Sequence, residues 1–346
     1  MEASALSEFS VAPGAHPGGP VCAALDLGTN NCRLLIAAPA KRGFRVVDAF
    51  SRIVRLGEGL SHSGQLSEAA MQRALSALQI CAEKIERRGV TRVRAVATQA
   101  CRAAANGKAF LDRVAQRTGL SLTTITPQEE AELSVAGCRD LIDPQAQAAL
   151  VVDVGGGSVE LSWIDLRGPA VQGGGPPPVA AWCSAPIGVV SLAERFPEVP
   201  GEHGWRRAMV ETMKRELAAF TGADHLRPLF EAGRAHLVGT SGAITSLAGV
   251  HLGLRRYDRN RVDGIWLSRE ECEAAGDTLA ALTLQQRGRE PCIGPDRADL
   301  VLAGAAILQA VQELWPSPRV RVADRGLREG LLLSLMDKTA VSEARA

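Results

Sequence analysis

Ala24-Leu25-Asp26-Leu27-Gly28-Thr29-Asn30-Asn31 and Val152-Asp153-Val154-Gly155-Gly156-Gly157-Ser158 repeat one pattern, with Asp153 standing 127 residues after Asp26. Each copy runs from an apolar strand through an Asp and one further apolar residue into a glycine-led turn, and a second apolar strand follows. Glycines let backbone N–H groups approach an anion closely, Thr, Asn and Ser add side-chain donors, and an Asp at a strand end offers a hard oxygen to a metal or a water. One copy alone reads as an Asp stabilising a tight turn. Two copies in matched contexts predict two lobes, each with a phosphate clamp. Gly28, Thr29, Asn30 and Asn31 form the first and Gly155, Gly156, Gly157 and Ser158 the second, with Asp26 and Asp153 placed for divalent-metal coordination.

A chain of 346 residues is long enough for two domains with separate cores, and its 46 % apolar content is that of a globular protein. The net charge of +1 excludes a generally basic nucleic-acid-binding surface, so no specific nucleic-acid partner is expected and any polyanion must be met by local arginines. No apolar run approaches the roughly 18 residues that a membrane span requires. Residues 1–20, rich in Ala, Ser, Gly and Pro, have neither a basic nor an apolar targeting region and read as a disordered leader. The eight cysteines form no C-x-x-C pair and several fall in apolar periodic segments, which suits reduced, buried thiols in a cytoplasmic protein. The six histidines are dispersed without zinc-ligand spacing.

Strands are expected over 22–26, 33–37, 44–49, 93–98, 122–125, 148–154, 159–164, 236–239 and 320–323. Ser67 should cap a helix whose apolar residues Met71, Leu75, Leu78, Cys81, Ala82 and Ile85 share one face, with Gly89 as its stop. Asn106 is expected to cap a helix over 108–117, and Ser268 with Glu271 a capping box. Thr126-Pro127-Gln128-Glu129 reads as a helix start, with Thr as cap, Pro at the first helical position and Glu at the third. Further helices are expected around 205–220, 243–250, 298–314 and from 327. A turn over 41–43 and a surface loop over 173–178 complete the outline. The alternation gives an α/β fold with mixed sheets and internal pseudo-duplication. The lobes divide as 21–137 and 138–324, with a terminal helix over about 325–346 packing back on the first.

Glu129 is accounted for by the capping box, whereas Glu130 is not. Adjacent helical residues project about 100° apart, so Glu130 points elsewhere, either to solvent or to a cleft where it can orient a water attacking a terminal phosphorus. Arg102 follows a strand end in a small, apolar stretch; its fork suits bidentate phosphate binding and equally a surface role. Arg33 follows the first clamp and Glu160 the second, each either a ligand-binding residue or a partner across its hairpin. Gly239-Thr240-Ser241-Gly242 opens a helix at an anion-friendly N-terminus. Arg325 and Arg328 lie at a charged strand-to-helix junction where cleft lining and a helix-start ion-pair cluster are equally good readings.

Taken together, Leu25–Asn30, Ala97-Thr98 through Arg102 and Asn106, Ile125–Ala131, Val152–Glu160, Pro186-Ile187-Gly188 and Asp324–Gly330 resemble the exopolyphosphatase and guanosine pentaphosphate phosphohydrolase family, within the actin, hexokinase and Hsp70-like superfamily. The resemblance spans about Cys22 to Met336. It implies two ribonuclease-H-like lobes with an active site in the interdomain cleft. It places the family's catalytic glutamate on Glu130, its cleft arginine on Arg102, and its metal-associated acids on Asp26, Asp153 and Glu160. Its phosphate-loop donors fall on Thr29, Asn30, Gly156, Gly157 and Ser158. Two departures stand out: Gly239-Thr240-Ser241-Gly242 replaces a more glycine-rich loop, and Val262-Asp263-Gly264 stands where many relatives have Val-His-Gly. Longer members continue into an all-helical region, so the chain resembles the short, two-domain form, which predicts distributive release.

The reading that follows is a phosphoanhydride hydrolase using Mg²⁺, or Mn²⁺ in its place, to release terminal phosphate from inorganic polyphosphate or guanosine pentaphosphate. It is expected to be cytoplasmic with no membrane partner, and a homodimer is kept open as its assembly. Two alternatives are an ATP-dependent small-molecule kinase of the same superfamily and a non-catalytic nucleotide-binding regulator. The Glu130 motif favours water as acceptor over the first, and the presence of both clamp aspartates and Glu130 argues against the second.

Overall fold

Strand β1, Cys22–Leu27, is buried on both faces except at Asp26, as a central strand covered on two sides must be. It is the centre of the first sheet in the structure, a computed structural model that describes residues 20–41, 43–168, 178–199 and 204–343. The leader up to residue 19, Arg42 of the first hairpin turn and residues 173–177 of the surface loop lie outside the described residues. Strands β2, Asn31–Pro39, and β3, Phe44–Ile53, continue antiparallel on one side of β1. On its other side β4, Arg92–Ala97, and β5, Thr123–Thr124, run parallel, which gives the order β3-β2-β1-β4-β5.

The second sheet repeats that plan. Strand β6, Ala148–Val154, is its buried centre, with β7, Val159–Asp165, and β8, Val179–Ala185, antiparallel to one side. Strand β9, Ala235–Thr240, pairs parallel on the other side. Then β10, Trp266–Ser268, and β11, Arg319–Ala323, complete the order β10-β11-β9-β6-β7-β8. Without β10, an antiparallel addition at the edge, the five remaining strands match the first sheet one for one. The repeat that the two Asp-Gly hairpins suggested is therefore a repeat of topology.

Contacts divide the chain into one unit up to Thr126 plus the residues from Arg328 onward, and a second from Pro127 to Leu327. The boundary thus falls before helix Pro127–Cys138 and not after residue 137, because this helix packs on β6, β7 and β8. In the first unit, helix Glu68–Arg87 is capped by Ser67, whose hydroxyl accepts from the Ala70 N–H, and it buries Met71, Leu75, Leu78, Cys81 and Ile85 against the sheet. Arg94 of β4 donates to the Ser334 hydroxyl at 2.8 Å, tying helix Leu327–Glu343 to the first sheet. Asn106 precedes helix Gly107–Thr118 as expected but does not cap it with its side chain. Its amide instead accepts from the Leu66 N–H and donates to the Leu66 carbonyl, both at 2.9 Å, pairing with the loop backbone as another peptide would.

In the second unit Trp163, Phe220, Phe230 and Trp315 form an aromatic cluster with ring centroids 5.1 to 5.3 Å apart. Arg287, 1 % exposed, is fully engaged there: it donates to the carbonyls of Ala298 and Leu282 and pairs with Glu198. His236 of β9 is fully buried, edge-on to Trp266, with Nδ1 donating to the Leu237 carbonyl and Nε2 accepting from the Asp143 N–H. Burial holds its pKa below the ordinary value against the opposing Leu237 hydrogen bond and the Asp143 charge. An unfolded histidine takes its proton near pH 6.5 while this one resists it, so the neutral ring stabilises the fold fully above that pH and progressively less as pH falls toward the depressed folded value. Thermal melts from pH 8 to 5 should therefore show a loss of stability beginning near pH 6.5, and His236→Gln should flatten that segment of the profile. Equal acid sensitivity in the two proteins would refute the assignment.

Candidate functional site

Asp26 and Asp153 occupy equivalent positions. Asp26 lies opposite Arg33 in the β1–β2 register and Asp153 opposite Glu160 in β6–β7, each two residues before its turn. The first turn closes through a Gly28 N–H to Asn31 carbonyl bond of 2.9 Å, and a methyl added at Gly28 would come within 3.4 Å of that carbonyl oxygen. At Gly155 the corresponding approach, to the Ser158 carbonyl oxygen, is 2.7 Å. Close backbone contact thus requires glycine at 155, whereas at 28 an added methyl would only touch the carbonyl oxygen.

Each turn is held from one side by its carbonyls. In the second, the Val189 and Val190 N–H groups at the start of helix Val189–Arg195 donate to the Gly155 and Gly156 carbonyls at 3.0 and 2.9 Å. In the first, the Thr29 carbonyl accepts from Gly57 and the Asn30 carbonyl from Val54 and Arg55. A trans peptide directs its N–H opposite to its C=O, and no peptide bond here is cis. The N–H groups of Gly156 and Gly157, and of Asn30 and Asn31, therefore turn away from these supports, the disposition an anion-binding nest needs. A glycine backs each support: a methyl on Gly188 would lie 2.4 Å from the Gly156 carbonyl carbon, and one on Gly57 would lie 2.3 Å from the Thr29 methyl. Gly188 belongs to a motif singled out in the sequence; Gly57 was missed, since only its contact with Thr29 distinguishes it from other turn glycines.

Helix Pro127–Cys138 brings Glu130 to the second clamp's side of its unit. Ser134, one turn beyond Glu130 on the same helical face, donates through its hydroxyl to Asp153 Oδ2 at 2.5 Å. Glu130 is 8 % exposed and Ser134 1 %, so Glu130 does not lie on a solvated face; Glu129 is only half-buried. Ser134 was not anticipated, although its spacing of four from Glu130 is legible. Glu160 is 2 % exposed, and Ser184 of β8 donates to its Oε1 at 3.0 Å. Ser158 is likewise buried.

In the first unit Thr29 and Asn30 are buried, and Asn30 Oδ1 and Asn31 Oδ1 have no hydrogen-bond partner among the described residues. Buried amide oxygens in that state suit a cation or a protonated ligand group. Arg102 sits on helix Gln99–Ala103, just after Thr98, whose N–H donates to the Leu27 carbonyl beside the first turn. Its guanidinium is held by Gln99 Oε1 at 2.8 Å and by the Ile125 carbonyl at 2.7 Å, so its orientation is fixed by neighbouring groups. Arg33 is half-buried on β2.

The two departures from the family pattern have structural counterparts. Asp263 pairs with the Arg325 guanidinium and accepts from the Asp324 N–H at 2.9 Å, so Arg325 forms an ion-pair cluster within its own unit. Ser241, at φ 138°, adopts a backbone that favours glycine, while its hydroxyl accepts from the Ala243 and Ile244 N–H groups and caps helix Gly242–His251. The cap offsets strain that a glycine in that place avoids.

All eight cysteines are free and seven are buried. Burial pushes the Cys101, Cys183 and Cys272 thiols up to about 12, which keeps them protonated and poorly nucleophilic. Among the described residues no three His, Cys, Asp or Glu side chains converge as a metal-binding group, and no helix is long and apolar enough to cross a membrane.

Residues 35–339 match the family described as the Ppx/GppA phosphatase family. The chain is 32 % identical over 336 residues to "Exopolyphosphatase 2" of Mycobacterium tuberculosis, covering 90 % of this chain and 98 % of that one. It is 28 % identical to the "Guanosine-5'-triphosphate,3'-diphosphate pyrophosphatase" of Aliivibrio fischeri, covering 92 % of this chain and 60 % of that one. Among solved structures, the Aquifex aeolicus member of the Ppx/GppA protein family aligns with a TM-score of 0.73 at 29 % identity, covering 92 % of this chain and 98 % of that one.

Proposed function

This chain belongs to the Ppx/GppA phosphatase family, and from that premise we propose that it is a Mg²⁺-dependent hydrolase releasing the terminal phosphate of inorganic polyphosphate or guanosine pentaphosphate. The observation that carries this reading is the placement of Glu130 one helical turn from Ser134, which in turn holds Asp153 at the foot of the glycine turn. A buried carboxylate beside an anion-accepting loop suits general-base chemistry on a water attacking phosphorus.

In the second unit the Gly156 and Gly157 N–H groups donate to phosphoryl oxygens, their direction set by the helix that holds the Gly155 and Gly156 carbonyls. Glu130 orients the attacking water and takes its proton. Ser134 keeps the Asp153 carboxylate from rotating by donating to one of its oxygens. In the first unit the hairpin of Asp26, Gly28, Thr29, Asn30 and Asn31 presents its donors in the same way, with Arg33 and Arg102 as further cations. Asp26 in the first unit, and Asp153 and Glu160 in the second, would each offer a hard oxygen to Mg²⁺ or Mn²⁺, which when bound would neutralise charge on the transferred phosphoryl group. The buried Asn30 and Asn31 amide oxygens fit such a donor set. No three acids converge among the described residues, and a Mg²⁺ held by one or two carboxylates would take substrate oxygens and water as its other ligands.

The test is phosphate release by purified protein with and without Mg²⁺, comparing polyphosphates of several lengths, guanosine pentaphosphate and ATP. Release from polyphosphate or guanosine pentaphosphate that chelation abolishes is the expected result. Activity confined to ATP with a hydroxyl acceptor would replace this reading with a kinase.

A further inference from the structure

Gly253-Leu254-Arg255-Arg256-Tyr257-Asp258-Arg259-Asn260-Arg261 sets four arginines against one aspartate, a local charge of +3 in a chain whose total is +1. All of these residues except Asn260 line a concavity of about 680 Å³, a size typical of small-molecule sites. The one acid offsets only one of the four cations, and its carboxylate accepts from the Asn260 N–H at 3.0 Å. Arg259 is committed to Asp324, donating to its carbonyl at 2.6 Å and lying 3.6 Å from its carboxylate. Arg255, Arg256 and Arg261 are exposed and have no side-chain hydrogen bond or ion pair among the described residues. Three unpaired like charges around one hollow repel one another, and an anion within it would offset that repulsion.

The loop is also tied to the edge of its unit that carries the second clamp. Tyr257, the chain's only tyrosine, donates its hydroxyl to Asp324 Oδ2 at 2.8 Å, so Tyr257 and Arg259 both grip the residue that follows β11. Ala323 at the end of β11 lies opposite Thr240 at the end of β9, and Thr240 opposite Asp153 in β6. The arginine loop therefore hangs from the same carboxyl-terminal strand edge as Asp153 and its glycine turn, the edge at which ligands of parallel α/β sheets bind.

We infer that this concavity is a second anion subsite, which holds phosphoryl groups of the substrate other than the one released. The inference rests on the hydrolase reading above. Oligophosphate is the chemistry that the three guanidinium groups recognise, and it has two sources: the downstream units of a linear polyphosphate or the 3′-diphosphate of guanosine pentaphosphate.

The test compares wild type with a variant combining Arg255→Ala, Arg256→Ala and Arg261→Ala, by initial rates on long-chain polyphosphate and on guanosine pentaphosphate and by calorimetric binding of inorganic pyrophosphate. All three side chains are exposed, and an unchanged melting profile verifies the fold. KM should rise about tenfold with kcat within about twofold, on the substrate whose distal phosphates occupy the hollow, and that substrate identifies the source. The corresponding triple lysine variant should recover much of the lost affinity, since charge is kept though the fork is not. If wild type turns over substrate and the alanine variant has the same KM on both, the subsite is overturned while the hydrolase reading stands. If wild type releases phosphate from neither substrate, the hydrolase reading falls and pyrophosphate decides the subsite: binding lost in the variant supports it, and equal binding in the two proteins overturns it.

Discussion

Glu130→Gln is expected to lower kcat by about 10²- to 10⁴-fold, the usual worth of a positioned general base, while KM changes little. The amide preserves the side chain's shape within its buried setting but cannot accept a proton. Glu129→Gln is the internal control. It alters the neighbouring carboxylate, which is half-buried at the third position of the same helix, and glutamine serves there as well as glutamate in a capping box. Steady-state rates of phosphate release for the two variants check the assignment. Equal losses would mean that charge at the helix start matters, and that Glu130 has no distinct role.

The two Asp-Gly hairpins are legible in the sequence because a strand end, an Asp and a glycine-led turn are local features, set within eight residues and repeated. The order of the sheets then follows from short connections and parallel crossovers. Strands β8 and β10 are not legible for different reasons. Half-exposed β8 shows no clean alternation, and β10 is too short to show any period. Glu130 separates from Glu129 by helical angle alone, yet nothing local reveals Ser134 as the residue that holds Asp153, because that bond joins positions 19 apart. Asn106 shows the opposite error. It has the residue type and position of a helix cap, and a loop 40 residues away claims its amide instead. The arginines at 255–261 are visible as charge in the sequence, whereas their convergence on one hollow is a property of the fold.

Gly188→Ala carries the second large effect, through geometry and not through any reacting group. The added methyl would sit 2.5 Å from both the Gly155 and Gly156 carbonyl oxygens and 2.4 Å from the Gly156 carbonyl carbon, so either helix Val189–Arg195 or the glycine turn must move. The contacts are with backbone, which no rotamer change can relieve. Overpacking of this kind costs about 1–3 kcal/mol. Because the same helix fixes the turn's carbonyls and thereby aims the Gly156 and Gly157 N–H groups, catalysis should suffer more than stability does. Loss of a single aligned oxyanion donor typically costs about 10²- to 10³-fold in kcat, and kcat for phosphate release should fall by that order. Gly233→Ala separates the two effects. Gly233 has φ +66° with nothing within 4 Å of the added methyl, so that variant incurs backbone strain of about 1 kcal/mol and leaves the turn untouched. Melting temperatures and phosphate-release rates of both variants test the argument: Gly233→Ala should lose stability alone, Gly188→Ala stability and rate together. A Gly188→Ala enzyme with wild-type kcat would show that the Gly156 and Gly157 amides do not meet the transferred phosphoryl group.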